Sequence, residues 1–223
     1  MKQKPSLWQS VVGIMKDNSP FMSKVGKAAL LAELNLCLVL TCLPIITAGA
    51  AVTALYTALF QFSELTYGSV LKVYFRAFRQ AFRPTLPALL LTLVTAVGLG
   101  AGWYTVLFSQ LTDNFLIMLP LLLSSVVVLF TLCWLYPLYA VSLLENSIPA
   151  LKDILSASLL IGLRELLRSF GAALLMLLPD LLLLWVSTQS LTLMGIWVLF
   201  GISPFALLHS KIVNSVISRT DKE

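Results

Sequence analysis

The sequence predicts an all-α fold, a polytopic bundle of transmembrane helices, and three observations carry that reading. Of 223 residues, 59% are hydrophobic, against roughly 45 to 50% in soluble domains, and the mean hydropathy is +0.93. Charged residues make up 11%, under half of the roughly 25% usual in globular chains. Those charges cluster between uncharged stretches long enough to cross a hydrocarbon core about 30 Å thick. No Pro/Ser/Gly-rich linker interrupts the chain, so residues 1–223 read as one integral membrane domain. Within it we expect an interfacial segment over 1–18, a helix bundle over 19–209 and a cytoplasmic tail over 210–223.

The first segment, Met1 to Asn18, has no continuous apolar run and no small-residue cleavage pattern after it, so it is not read as a secretory signal. Leu7, Trp8, Val11, Val12 and Met15 fall on one helical face, with Lys2, Lys4 and Lys16 available to headgroups. A loosely ordered tail is the plainer alternative. Ser19 followed by Pro20 has the form of an N-cap with proline at the first helical position, so a helix should start there.

From Ala28 to Phe62 the only charge is Glu33. As one helix this stretch would extend about 52 Å, far beyond the hydrocarbon core. The segment Pro44 to Gly49 is the expected break, because proline lacks the helical donor and clashes with the preceding turn. A hairpin of two helices follows, either spanning or re-entrant. Its second arm carries Ala48, Gly49, Ala50, Ala51, Thr53 and Ala54, small residues that let helices approach closely in lipid.

Four more apolar segments follow: Leu86 to Phe108, Phe115 to Leu144, Phe170 to Val186 and Leu191 to Leu208. Each is long enough to cross, giving about six spans, or four plus a re-entrant hairpin. Pro137 suggests a kink or exit near the end of the second. Trp103, Tyr104 and Trp185 lie near helix ends where amphipathic rings favour the interface. All 15 Lys and Arg residues fall in the N-terminal region, in Lys72 to Arg83, in Lys152 to Arg168, or after His209. The opposite connections carry only Asp113. Short loops rich in Lys and Arg stay cytoplasmic, so both termini are expected inside.

The first cytoplasmic connection is amphipathic. Lys72, Arg76, Arg79 and Arg83 form one stripe, and Leu71, Tyr74, Phe75, Phe78 and Phe82 form another, the pattern of an interfacial helix. Anionic phospholipids are the expected partners, at about 1 kcal/mol per cation; a phosphorylated ligand or an acidic protein surface would use the same stripe. Nucleic acid is not expected, because a net charge of +5 placed on one membrane face is what the topology rule produces.

Catalytic constellations are thin, and neither enzymatic activity nor a cofactor is expected. His209 stands alone at the end of the last apolar segment, where it could meet the helix C-terminus. Metal sites need several convergent ligands. Cys37, Cys42 and Cys133 lie in apolar stretches without C-x-x-C spacing and read as packing residues. Gly98, Gly100 and Gly102 read as a small-residue helix face rather than a dinucleotide loop. Glu33, Asn35 and Asp180 are the candidate intramembrane polar site. Asp180 is the foremost of them, since an ionisable group at membrane depth normally faces a bundle interior or cavity. Pro179 beside it is a further expected helix break.

The run Ser19, Pro20, Phe21, Met22, then Leu34, Asn35, Leu36, then Leu43 to Ala50, and Thr53 to Tyr56 resembles the N-terminal signature of the YesL-like family of small bacterial membrane proteins. Phe75 to Phe82 resembles that family's next block, and the likeness loosens after Arg83. Glu33 departs from the pattern, where an apolar or weakly polar residue would be expected. The resemblance implies a bacterial plasma-membrane protein linked to carbohydrate uptake, with no catalytic residues to carry over. On that basis the chain is expected to be a transport component or transporter-associated subunit. The alternatives are a scaffold or regulator bound to a permease or sensor, and, more remotely, an intramembrane enzyme.

Overall fold

A computed structural model describes residues 20–63, 69–108, 115–187 and 201–220, and every element in them is helical. The expected segment 1–18, Thr112 and Asp113 lie outside the described residues. Helix α1 spans Pro20–Cys42 and begins on the proline, as the Ser-Pro pair predicts. It stops at the expected break. Pro44 is extended, with φ −78° and ψ 119°, and leads into a single 3-10 turn, Ile45–Thr47. The Thr47 hydroxyl donates to the Pro44 and Thr41 carbonyls, taking up acceptors that the broken helix leaves free.

Helix α2, Ala48–Phe60, follows at once and is the centre of the fold. Ten of its residues, from Gly49 to Leu59, are buried, because its small side chains admit neighbours on several sides. Gly49 is the second residue of α2 rather than part of the break. A Cβ there would stand 3.3 Å from Tyr136 Cε1 and 3.4 Å from Leu89 Cβ, so glycine is what permits this approach.

The next helix differs from expectation. The basic connection and the apolar segment after it are one helix, α3, Val70–Phe108, 39 residues long. At 1.5 Å per residue it extends about 58 Å, about twice the hydrocarbon thickness. It runs through Pro84 and Pro87, although an interior proline costs about 3 kcal/mol. A continuous buried stripe of Tyr74, Ala77, Ala81, Thr85 and Ala88 crosses both prolines at helical spacing, and packing along that stripe holds the helix together.

Helix α2 lies antiparallel to the first, charged half of α3. Gly49 faces Thr85 and Leu89, and Ala50 shares a cluster with Ala81. Ala58 and Leu59 share another with Val70 and Tyr74. The α1 end joins them through Thr41 Oγ1, which lies 2.6 Å from the Tyr74 hydroxyl.

Beyond Leu89, α3 leaves the core. It pairs with the start of α4, Phe115–Leu144, as an apolar arm. Val94, Val97, Leu107, Phe108, Leu116 and Leu123 are all exposed there. Two contacts zip the arm, Trp103 Nε1 donating to Ser125 Oγ at 3.0 Å and Gly102 against Leu121. A Cβ added at Gly98, expected on the same packing face, would meet nothing within 4 Å. So much exposed apolar surface suits lipid, not water, and residues 90–108 extend about 28 Å, close to one hydrocarbon thickness.

The second half of α4 returns to the core, running through Pro137 without a break. Asn146, with φ 53°, turns the chain after it. Helix α5, Leu151–Arg164, packs back on α4 through Ile154 and through Gly162 against Phe130. Helix α6, Leu166–Ser187, runs as helix through Pro179 and Asp180, so no break occurs at Pro179; the side chains of these two residues lie outside the described set. The last described helix, α7, spans Ser203–Thr220 and extends well past the expected boundary at residue 209. Among the described residues, three helices are long and apolar enough to cross a membrane: Val25–Cys42, Val70–Phe108 and Leu116–Leu144.

Candidate functional site

The start of α7 is an interhelical joint. A helix leaves its first N–H groups unpaired, and in an apolar surrounding each needs an acceptor. The acceptor comes from α1: Asn35 Oδ1 receives the N–H of Ile202 and that of Ser203, each at 3.0 Å. Ser203 Oγ returns a hydrogen bond to the Leu31 carbonyl at 2.7 Å. Asn35 and Ser203 are both fully buried. Of the three expected intramembrane polar residues, Asn35 is thus a helix cap supplied across 167 positions of sequence.

Two turns further along α7, His209 is also fully buried. It lies inside the helix, not at its C-terminus as expected, and its partner is Tyr56 of α2, whose hydroxyl is 2.7 Å from Nδ1. The rings meet edge to face at 5.5 Å between centroids. Trp134 of α4 flanks the imidazole at 6.4 Å and donates Nε1–H to Ser169 Oγ of α6 at 2.9 Å. Helices α2 and α4 therefore meet α7 at this histidine, and Ser169 of α6 anchors the indole that flanks it.

Among the described residues Nε2 has no hydrogen-bond partner. Fully buried among apolar side chains with no charged partner, the imidazole is held in its neutral form. Tyr56 has no other partner for its hydroxyl among the described residues, so the satisfied arrangement is O–H donation to Nδ1. The ring proton is then on Nε2, which leaves a buried donor without an acceptor.

His209 and Tyr56 line a cavity of about 270 Å³ between α1, α2, α6 and α7. Apart from Cys42, the remaining wall is apolar, with Leu38, Leu55, Ile202 and Phe205 prominent. The volume is many times the roughly 30 Å³ share of one water, and just under the roughly 300 to 1,000 Å³ of pockets for drug-sized ligands.

The other predicted residues are dispersed. Glu33 is half-buried on α1, two residues from Asn35. Lys72, Arg76, Arg79 and Arg83 are exposed on α3, and the first three line an open recess with Phe75 and Gln80. Among the described residues no group of three or more His, Cys, Asp or Glu side chains could hold a metal ion. The three cysteines are free thiols.

Sequence reasoning missed Tyr56, Trp134, Ser169 and Ser203 as parts of one network. A usable signal was present in Ser203-Pro204, which repeats the Ser19-Pro20 helix-start pattern inside the expected span Leu191 to Leu208.

No curated protein and no solved structure matches the chain. Residues 31–103 match a family described as "Protein of unknown function, DUF624". That stretch holds Asn35, the hairpin, Tyr56 and the basic stripe, and stops before Trp134, Ser169 and His209. Over 31–103, in the helices that supply the cap and the tyrosine, the chain is therefore similar to an uncharacterised family, DUF624.

Proposed function

We propose that this chain is an accessory subunit of a bacterial carbohydrate-uptake system, a multi-pass plasma-membrane protein that associates with a transporter and does not form its permeation path. The character of the cavity beside His209 carries the reading. A sugar exposes many hydroxyls, and each one buried needs a partner. The cavity wall offers Tyr56, His209 and one thiol amid apolar side chains. The link to carbohydrate uptake rests on the YesL-like resemblance over Ser19 to Arg83.

In this reading both termini face the cytoplasm. The chain crosses four times, and the α1–α2 hairpin is re-entrant from the cytoplasmic side. Support comes from the position of α2 beside the charged half of α3, and from the exposed apolar tip, Leu43, Ile45 and Ile46. Gly49, near the start of α2, lies level with Thr85 and Leu89, where the uncharged stretch of α3 begins. The stripe Lys72, Arg76, Arg79 and Arg83 then meets anionic phospholipid at the cytoplasmic surface.

Pull-down from native membranes should recover a sugar permease, and proteoliposomes holding the chain alone should take up no more labelled sugar than empty vesicles. Uptake by the chain alone would make it the transport component itself. Recovery of a sensor protein without a permease would favour a regulator. For topology, cysteines at Thr112 and Thr188 in a cysteine-free background should react with impermeant thiol reagents outside intact cells. One at Gln80 should not, and its labelling from outside would reverse the orientation.

A further inference from the structure

The cationic stripe of α3 meets phospholipid from its Arg83 end, and the course of the helix limits how far along the stripe lipid can reach. Lys72, Arg76, Arg79 and Arg83 are exposed on one face, and Leu90 and Val94 continue that face into the exposed apolar arm. Cations and lipid-facing residues therefore lie along one helix. Pro84 and Pro87 stand between them, and prolines kink helices. Helix α2 packs on both sides of that point: Gly49 lies against Leu89 beyond the prolines, and Ala58 and Leu59 cluster with Val70 and Tyr74 before them. One unbroken helix packed along both halves excludes the right-angle bend that a stripe lying flat on the bilayer needs.

The deepest placement the charges allow puts Arg83 at the edge of the hydrocarbon. Lys72 then stands about 16 Å farther out along the axis. The headgroup layer is about 5 to 8 Å deep on each side, and an extended lysine side chain spans about 6 Å. The Lys72 ammonium thus clears the lipid phosphates, and Arg76 reaches them only by folding back. Lys72, Phe75, Arg76, Arg79 and Gln80 line an open recess at this outer end, with Phe75 exposed in it. Helix α3 contains no Asp or Glu, and among the described residues none of these cations is ion-paired. From Lys72 to Arg79 the stripe extends about 10 Å, more than one phosphate covers. Carboxylates three and four positions apart on a helix match that spacing. We propose that the stripe from Lys72 to Arg79 docks an acidic helical segment of a partner protein, with carboxylates on the three cations and an apolar side chain against Phe75. The site rests on the cytoplasmic placement of Lys72 in the reading above; it requires neither a sugar nor a permease.

The test uses the full chain in nanodiscs of phosphatidylcholine, which carries no net charge, with empty nanodiscs as the blank. The probe is a fluorescent helical peptide with Glu at i, i+4 and i+7 and a leucine beside them; its twin carries Gln in place of Glu. By anisotropy at low salt, the Glu peptide should bind about tenfold tighter than its twin, a difference of about 1.4 kcal/mol from three exposed ion pairs. Added salt should shrink that ratio. Lys72→Gln with Arg76→Gln should reduce it to about twofold, and Arg83→Gln should leave it unchanged; all three positions are exposed. A spin label on Lys72→Cys in a cysteine-free background measures height separately, and a water-soluble paramagnetic complex should relax it faster than a label on Arg83→Cys. Equal binding of the two peptides, or a tenfold ratio that survives the double change, would overturn the proposal. A label at 72 as shielded from water as one at 83 would overturn it too, and would return the whole stripe to lipid. Failure to recover a permease from native membranes leaves these measurements untouched.

Discussion

Replacing Asn35 by leucine keeps the approximate size of the side chain and removes its carbonyl oxygen. That oxygen receives two N–H groups at 3.0 Å, from Ile202 and Ser203, at a fully buried position. Each buried donor left unpaired costs about 1 to 3 kcal/mol, so the variant should lose about 2 to 6 kcal/mol, more than most single substitutions. The loss should be local first, because the cap holds the start of α7 against α1. The informative assay pairs an unfolding titration in detergent with hydrogen exchange at residues 201–206. Asn35→Leu should lower the midpoint and speed exchange there. Asn35→Asp, which can still accept both N–H groups at a helix N-terminus, should exchange more slowly than the leucine variant. A leucine variant within about 0.5 kcal/mol of the native chain, with unchanged exchange over 201–206, would refute the capping role.

At Gly49, where a Cβ would stand 3.3 Å from Tyr136 and 3.4 Å from Leu89, leucine should cost at least the about 1 to 3 kcal/mol of an overpacked core. An unchanged unfolding midpoint would show that the α2–α3 contact yields easily. On the exposed stripe, Arg76→Gln, Arg79→Gln and Arg83→Gln together should weaken the chain's preference for anionic over zwitterionic lipid in mixed nanodiscs by about 3 kcal/mol, with each alone mild. If Arg79→Gln alone abolished that preference, a specific anion site would replace the lipid-anchor account.

The sequence by itself determined the class of the protein and the places where its first helices start and stop. Uncharged stretches of membrane length, the Ser19-Pro20 start and the Pro44 break are local properties, set by transfer energy and by the geometry of proline. The Asn35 cap, the Tyr56–His209 pair and the Trp134–Ser169 bond were decided by tertiary structure. Their members are separated by 167, 153 and 35 positions, and no periodicity links residues that meet only after helices pack. The continuity of α3 belongs with them. Pro84 and Pro87 argue locally for a break, and the buried stripe from Tyr74 to Ala88, formed by packing against α1, α2 and α4, outweighs them. His209 illustrates the division best. Sequence showed a lone histidine beside an apolar segment, while its neutral state, its tautomer and the cavity it lines follow from neighbours on three other helices.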